Sequence, residues 1–278
     1  VKGSQTVAIG AYALGAQTFA TSTNAANVAV GYAAGNQITS GVENTLIGTL
    51  AGDALTDADF NVAIGWGALS LDTKGSKSVA IGTGALDAQN FTTSTDVHNT
   101  AVGHGAGGAV TTGQRNTYIG ALAGESTTTA SYNVALGYQT LATDQLGSES
   151  VAIGYRALAT QNYGTATTAL NVAVGASAGV AVTTGTQNTY VGAHAGDANT
   201  SGTYNLALGA YALTDDVTGQ RTIAIGYAAL NSLNRSGTGD TISYTTAVGY
   251  GAGGEITTAQ SNTLMGYSVG SSLTTGGG

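Results

Sequence analysis

The chain has 278 residues, 44 of them glycine, with no proline, no cysteine and a formal net charge of −8. Without cysteine there is no disulfide framework and no thiolate metal site. No apolar run approaches the ~20 residues needed to cross a bilayer, and 42% hydrophobic residues in an ordered pattern do not make a disordered chain.

From the first residues onward, a block of the form Asn-Thr/Val-Ala-Ile/Val-Gly recurs. Its glycines are Gly10, Gly31, Gly48, Gly65, Gly82, Gly103, Gly120, Gly137, Gly154, Gly175, Gly192, Gly209, Gly226, Gly249 and Gly266, which makes 15 copies. Successive glycines lie 17 residues apart, except for one longer interval in every four, which is 21 residues three times and then 23. The spacing predicts a 17-residue coil nested in a 72-residue superrepeat. The superrepeats cover about 1–72, 73–144, 145–216 and 217–278, so 1–278 reads as a single repeat domain.

Each block predicts a short strand. The residue before the glycine is aliphatic throughout, from Ile9 and Val30 to Met265, and two positions earlier stands Val, Ile, Leu or Thr. Between them is usually Ala. This is the period-two pattern of a strand, with its aliphatic face expected to be buried. Three residues after the glycine, 13 of the 15 copies have Ala, as at Ala13, Ala34 and Ala51. So regular a demand for a small side chain implies close approach of backbone or of a neighbouring chain. The next position follows a four-coil rule: Leu14, Gly35, Gly52, Leu69, then Leu86, Gly107, Gly124, Leu141. Asn opens ten blocks, from Asn27 to Asn262, and stacked coils would bond these amides along the ladder or to turn backbone. Stretches such as Thr111–Arg115 are polar and turn-like.

Frequent glycine and the lack of a 3.6-residue apolar stripe exclude helices. The predicted class is all-β: a parallel β-solenoid or β-roll of about 15 coils, roughly 70 Å long at the usual strand spacing. A single coil buries little, so stability must come from stacking and from neighbouring chains.

Catalytic constellations are not evident. His98, His104 and His194 lack metal-type spacing, and no Gly-x-Ser-x-Gly elbow stands between a strand and a helix. Asp57 and Asp59 come without a glycine-rich calcium loop and read as solvated turn charges. Gly103-x-Gly105-x-Gly107-Gly108 lacks a P-loop lysine and a following helix. Seven basic against 15 acidic residues disfavour binding of nucleic acid or an anionic membrane through bulk charge. The chain therefore reads as a non-enzyme without catalytic, cofactor or metal residues.

The aromatic residues are the candidates for contact. Tyr32, Trp66, Tyr138, Tyr155, Tyr227, Tyr250 and Tyr267 follow repeat glycines. Such a stripe suits either sugar stacking or packing across a seam between chains. Phe19, Phe91 and Tyr163 occupy equivalent places in the insertions. They suit contact with a receptor or another fibre, or else tuck the inserted loop onto the roll.

The blocks Asn27-Val-Ala-Val-Gly-Tyr-Ala-Ala-Gly35 and Asn99-Thr-Ala-Val-Gly-His-Gly-Ala-Gly107 resemble the repeat regions of bacteriophage tail fibres, as do Thr6-Val-Ala-Ile-Gly10 and Ser78-Val-Ala-Ile-Gly82. They are also similar to the head repeats of YadA-type trimeric autotransporter adhesins, whose coils are usually shorter than 17 residues. The resemblance covers essentially all 278 residues. It implies an obligate homotrimer of β-rolls packed side by side, without cofactors. It implies an extracellular, structural and adhesive role as a tail-fibre shaft, with a bacterial adhesin head as the alternative and a fibre-borne glycan depolymerase as a further one. The implied partners are other copies of the chain, fibre or baseplate proteins, and a host surface glycan or protein. A start without Met, inside the repeat, points to a segment or a processed product.

Overall fold

A computed structural model describes residues 3–234, 242–258 and 260–274, in two units, Val1–Asn133 and Val134–Gly278. Every repeat block forms a three-residue strand, and no helix occurs among the described residues. In the first unit the strands Val7–Ile9, Val28–Val30, Thr45–Ile47, Val62–Ile64, Val79–Ile81, Thr100–Val102 and Thr117–Ile119 form one parallel ladder. In the second, Val134–Leu136, Val151–Ile153, Val172–Val174, Thr189–Val191, Leu206–Leu208, Ile223–Ile225, Thr246–Val248 and Thr263–Met265 do the same. Each strand pairs in register with its repeat equivalent, as Ala29 does with Leu46. The expected parallel β-solenoid of 17-residue coils is therefore the fold.

The insertions add their own small pairings at 72-residue steps. Gly3–Ser4 pairs with Thr23–Asn24, Gly75–Ser76 with Thr95–Asp96, and Gly147–Ser148 with Thr167–Thr168. In the fourth superrepeat, Gln220 bridges Ile242.

The strands face the opposite way from the sequence expectation. The middle residue of the strand points inward: Ala29, Leu46, Ala63, Tyr118, Ala152 and Tyr190 are all completely buried. The flanking aliphatics, expected to be buried, point outward and are half-buried or exposed, with Ile9 reaching 59% exposure. The reason is size. A 17-residue coil also turns its asparagine, the small residue three places after the glycine and a leucine inward, as at Asn61, Ala68 and Leu69, which leaves no room for two branched side chains per strand. The alanine three residues after the glycine is fully buried within the chain itself in every coil from Ala34 to Ala252 that has one, as at Ala51 and Ala123. Its smallness therefore needs no neighbouring chain.

The four-coil rule is a packing rule. A large residue occupies the middle of the strand at Leu46, Tyr118, Tyr190 and Leu264. There, in its own coil and the preceding one, the usual interior leucine gives way to glycine. A Cβ on Gly35 would lie 2.6 Å from Leu46 Cδ1, and one on Gly179 would lie 2.7 Å from Tyr190 Cδ2. Elsewhere Leu69, Leu86, Leu141, Leu158, Leu213 and Leu230 fill the interior. The repeat glycine has a different cause: Gly31 has φ +138°, and a Cβ there would lie 2.5 Å from the Gly48 carbonyl oxygen of the next coil.

Buried asparagines run alongside the strands. Asn44 donates to the Ala58 carbonyl at 2.9 Å, and its own side-chain oxygen accepts the Asn61 backbone N–H at 3.0 Å. Asn99, Asn116 and Asn133, and then Asn171, Asn188 and Asn205, repeat the pattern. Both expected uses of the amide hold: it ties the ladder together and closes the turn.

Candidate interaction surface

Because each strand turns its aliphatics outward, each unit carries an apolar sheet face. In the first unit this face includes Val28, Val30, Ile47, Val62, Ile64, Val79 and Ile81, and in the second Val134, Leu136, Ile153, Leu208 and Ile223. Parallel sheets usually bury both faces, and a contiguous exposed apolar patch marks an interaction site.

Two rims border the face. One is built from the residues just after the repeat glycines. Of the sequence candidates here, Tyr32, Trp66, Tyr138, Tyr155, Tyr227, Tyr250 and Tyr267 are all exposed, Trp66 to 60%. Tyr12 and Tyr32 meet edge to face with centroids 5.8 Å apart, and Tyr138 stacks on Tyr155 at 6.0 Å. The longest run is His194, Tyr211, Tyr227, Tyr250 and Tyr267, each 5.1–5.8 Å from the next. Rings stacked on one another present edges and hydroxyls, rather than faces, to an incoming group.

The other rim is the residue immediately before each block's first position, and sequence reasoning did not single it out. In chain order it is Gln5, Ala26, Glu43, Phe60, Lys77, His98, Arg115 and Tyr132 in the first unit. In the second it is Glu149, Leu170, Gln187, Tyr204, Arg221, Tyr244 and Ser261. All 15 are left-handed, with φ between 46° and 63°, and all but Ala26 are exposed. Arg115 lies over the Tyr132 ring at 5.5 Å and donates to its hydroxyl at 2.9 Å. Arg221 sits between Tyr204 and Tyr244, 5.6 and 5.7 Å from their centroids. Lys77 pairs with Asp96 of the inserted loop, and that bond, with lesser help from His98, holds the Asp96 carboxyl below its usual range. The cue was present in the sequence: the position is never glycine.

The insertion aromatics need a correction. Phe91 and Tyr163 are 6% and 5% exposed, so they tuck the loop inward and offer no ring to a receptor. Phe19 is half-buried. At Phe91 and Tyr163 the inserted loop wraps a buried polar cluster. Gln89 donates to Asp72 and Ser78 and accepts from Asn99. Gln161 likewise links Asp144, Ser150 and Asn171, while the Tyr163 hydroxyl donates to the Gly185 carbonyl at 2.5 Å. Burial pushes the Asp144 carboxyl and the Tyr163 hydroxyl above their ordinary pKa values. Each cluster stands where Ser replaces the ladder asparagine, so its glutamine carries the amide chain across the longer coil.

The remaining polar residues are local. Asp57 pairs with Lys74 at 3.6 Å, Asp59 accepts the Val42 N–H at 2.8 Å, and His194 meets Asp197 at 3.0 Å. His98 and His104 are exposed. Among the described residues, no group of three or more His, Asp or Glu is placed to hold a metal ion, and no helix is long and apolar enough to cross a membrane. No family model, curated protein or solved structure matches the chain.

Proposed function

We propose that the chain is a structural and adhesive fibre segment: a homotrimeric tail-fibre shaft that presents, or contributes to, binding of a host receptor. One observation carries this reading. Each unit turns a ladder of valines, isoleucines and leucines outward, and such a face is satisfied when copies of the chain pack sheet to sheet. The completely buried alanines and glycine-gated interior lock the side chains inside each coil, which suits a rigid spacer. The polar turns, exposed at residues such as Thr92, Thr93 and Thr165, then supply the outer chemistry for contact with glycan or protein.

Gold-labelled antibodies raised against the purified chain test the assignment by electron microscopy of native particles. Labelled fibres on virions support it. Label confined to bacterial cell surfaces would contradict it and favour the adhesin reading.

A further inference from the structure

The rim before the asparagine ladder is strained along its whole length. A left-handed backbone is unfavourable for an L-residue, and glycine or asparagine is the usual remedy. Neither occurs at any of the 15 positions, where Phe, Lys, Arg, Tyr, Glu and Leu stand instead. On the opposite rim, the left-handed position two residues after the repeat glycine takes glycine in four coils, at Gly67, Gly84, Gly105 and Gly251, and residues such as Tyr12, Arg156 and Tyr211 in the others. Persistent strain at a position that keeps its side chain points to work for that side chain. Burial inside the coil is not that work, because all but Ala26 are exposed, and contacts along the chain engage only some of them, such as Lys77, Arg115 and Arg221.

The two rims match in several coils, though not at Ala26, Glu43 or Leu170. In the coil where one rim has Phe60, the other has Trp66. Tyr204 is matched by Tyr211 and Tyr244 by Tyr250, while Arg221 faces the tyrosine rim at Tyr227. Glu149 is matched by its opposite charge, Arg156. Both are exposed and left-handed, at φ 61° and 56°, and neither makes an ion pair among the described residues. Six or seven residues of chain, roughly 20–23 Å when extended, separate the members of each pair. They cannot satisfy one another within one coil.

We infer that the partner of this rim is the opposite rim of a second copy of the chain, in the same coil register. Three copies would then close head to tail around the apolar face, with Glu149 of one copy against Arg156 of the next and aromatic against aromatic at the Phe60, Tyr204 and Tyr244 levels. This rests on the trimer reading above and adds to it a direction, a register and named pairs. The aliphatic face supplies the non-specific attraction. The rims reject shifted registers, because a slip of a few coils places unlike residues together.

Charge reversal tests the pairing. Glu149→Arg and Arg156→Glu are each made alone and then together, with circular dichroism to show that the coils are intact. Dissociation on dilution is followed by analytical ultracentrifugation. Each single reversal sets like charges together at every seam, so it should raise the protomer concentration for dissociation about tenfold or more, and the double reversal should restore it. The absence of native cysteine allows a second reading of register. Glu149→Cys with Arg156→Cys should oxidise to covalent trimers. Glu149→Cys with His194→Cys, two coils out of step and so about 10 Å displaced, should not. A wild-type chain that stays monomeric would overturn the trimer itself. A trimer indifferent to the single reversals, or cross-linked equally by both cysteine pairs, would overturn only the rim pairing.

Discussion

A methyl group placed on Gly107 would lie 2.8 Å from Cδ2 of Tyr118, in the following coil. That relationship explains why the sequence counts in fours: one large strand residue per superrepeat takes the space that leucines fill in the other coils. It also makes the two positions energetically coupled. Gly107→Ala should destabilise the chain by about 1–3 kcal/mol through overpacking, with left-handed strain added at φ +57°. Tyr118→Ala should cost about 3–5 kcal/mol through the cavity it leaves. In the double variant the Gly107 substitution should cost less than it does alone, since the clash is gone. Urea denaturation of the four proteins of this cycle measures the coupling; strict additivity would show that the two sites do not share a space.

The same packing argument applies at Ala51, which is fully enclosed. Ala51→Leu should cost about 1–3 kcal/mol, visible as a lower midpoint in denaturant. An unchanged midpoint would mean that the site can open to solvent.

The asparagine ladder should be sensitive to single deletions. Asn116→Ala removes the donor to the Ala130 carbonyl and the acceptor for the Asn133 N–H, both buried. Each orphaned group costs about 1–3 kcal/mol, so the variant should lose at least about 2 kcal/mol. Hydrogen exchange should show the loss concentrated at the Asn133 amide.

The repeat length, the insertion rhythm and the parallel stacking were legible in the sequence because glycine and asparagine recur at fixed spacing for backbone reasons. The direction of the strand faces was not. Alternation says which residues share a face, as Val62 and Ile64 do, but not which face lies inside. That depends on the width of the coil, and here only Ala63 fits within it. The burial of Phe91 and Tyr163 was hidden for a related reason. Their equivalence between superrepeats was plain, but the polar cluster over which the loops fold is assembled from residues such as Asp72, Gln89 and Asn99, far apart in the chain. The rim at Glu149 and Arg221 escaped notice because its side chains vary, and only the backbone conformation is constant.

Acidity should stabilise the fold through Asp144. Burial raises its carboxyl pKa above the ordinary value, so the folded state holds a proton that the unfolded chain releases. Stability from this source is present at pH below the ordinary carboxylate range and falls as pH rises through the elevated folded value. Asp53 and Asp197 shift in the same direction, also through burial. Asp144→Asn should flatten the pH dependence of the unfolding temperature across the weakly acidic range. An unaltered slope would assign that dependence to other groups.

Inward and outward neighbours on one strand should respond oppositely to charge. Ala63→Asp buries a carboxylate in a sealed interior and should unfold the surrounding coils. Ile64→Asp, one residue later on the outward face, should leave the circular dichroism spectrum unchanged while weakening association between copies.

The central claim is that the outward aliphatic face joins copies of this chain. Light scattering on the purified 27.1 kDa chain at micromolar concentration, after size-exclusion chromatography, addresses it directly. The predicted result is a folded species of three times the chain mass that shifts towards one chain mass when Ile64→Asp is introduced. A folded monomer of the wild-type chain would contradict the account.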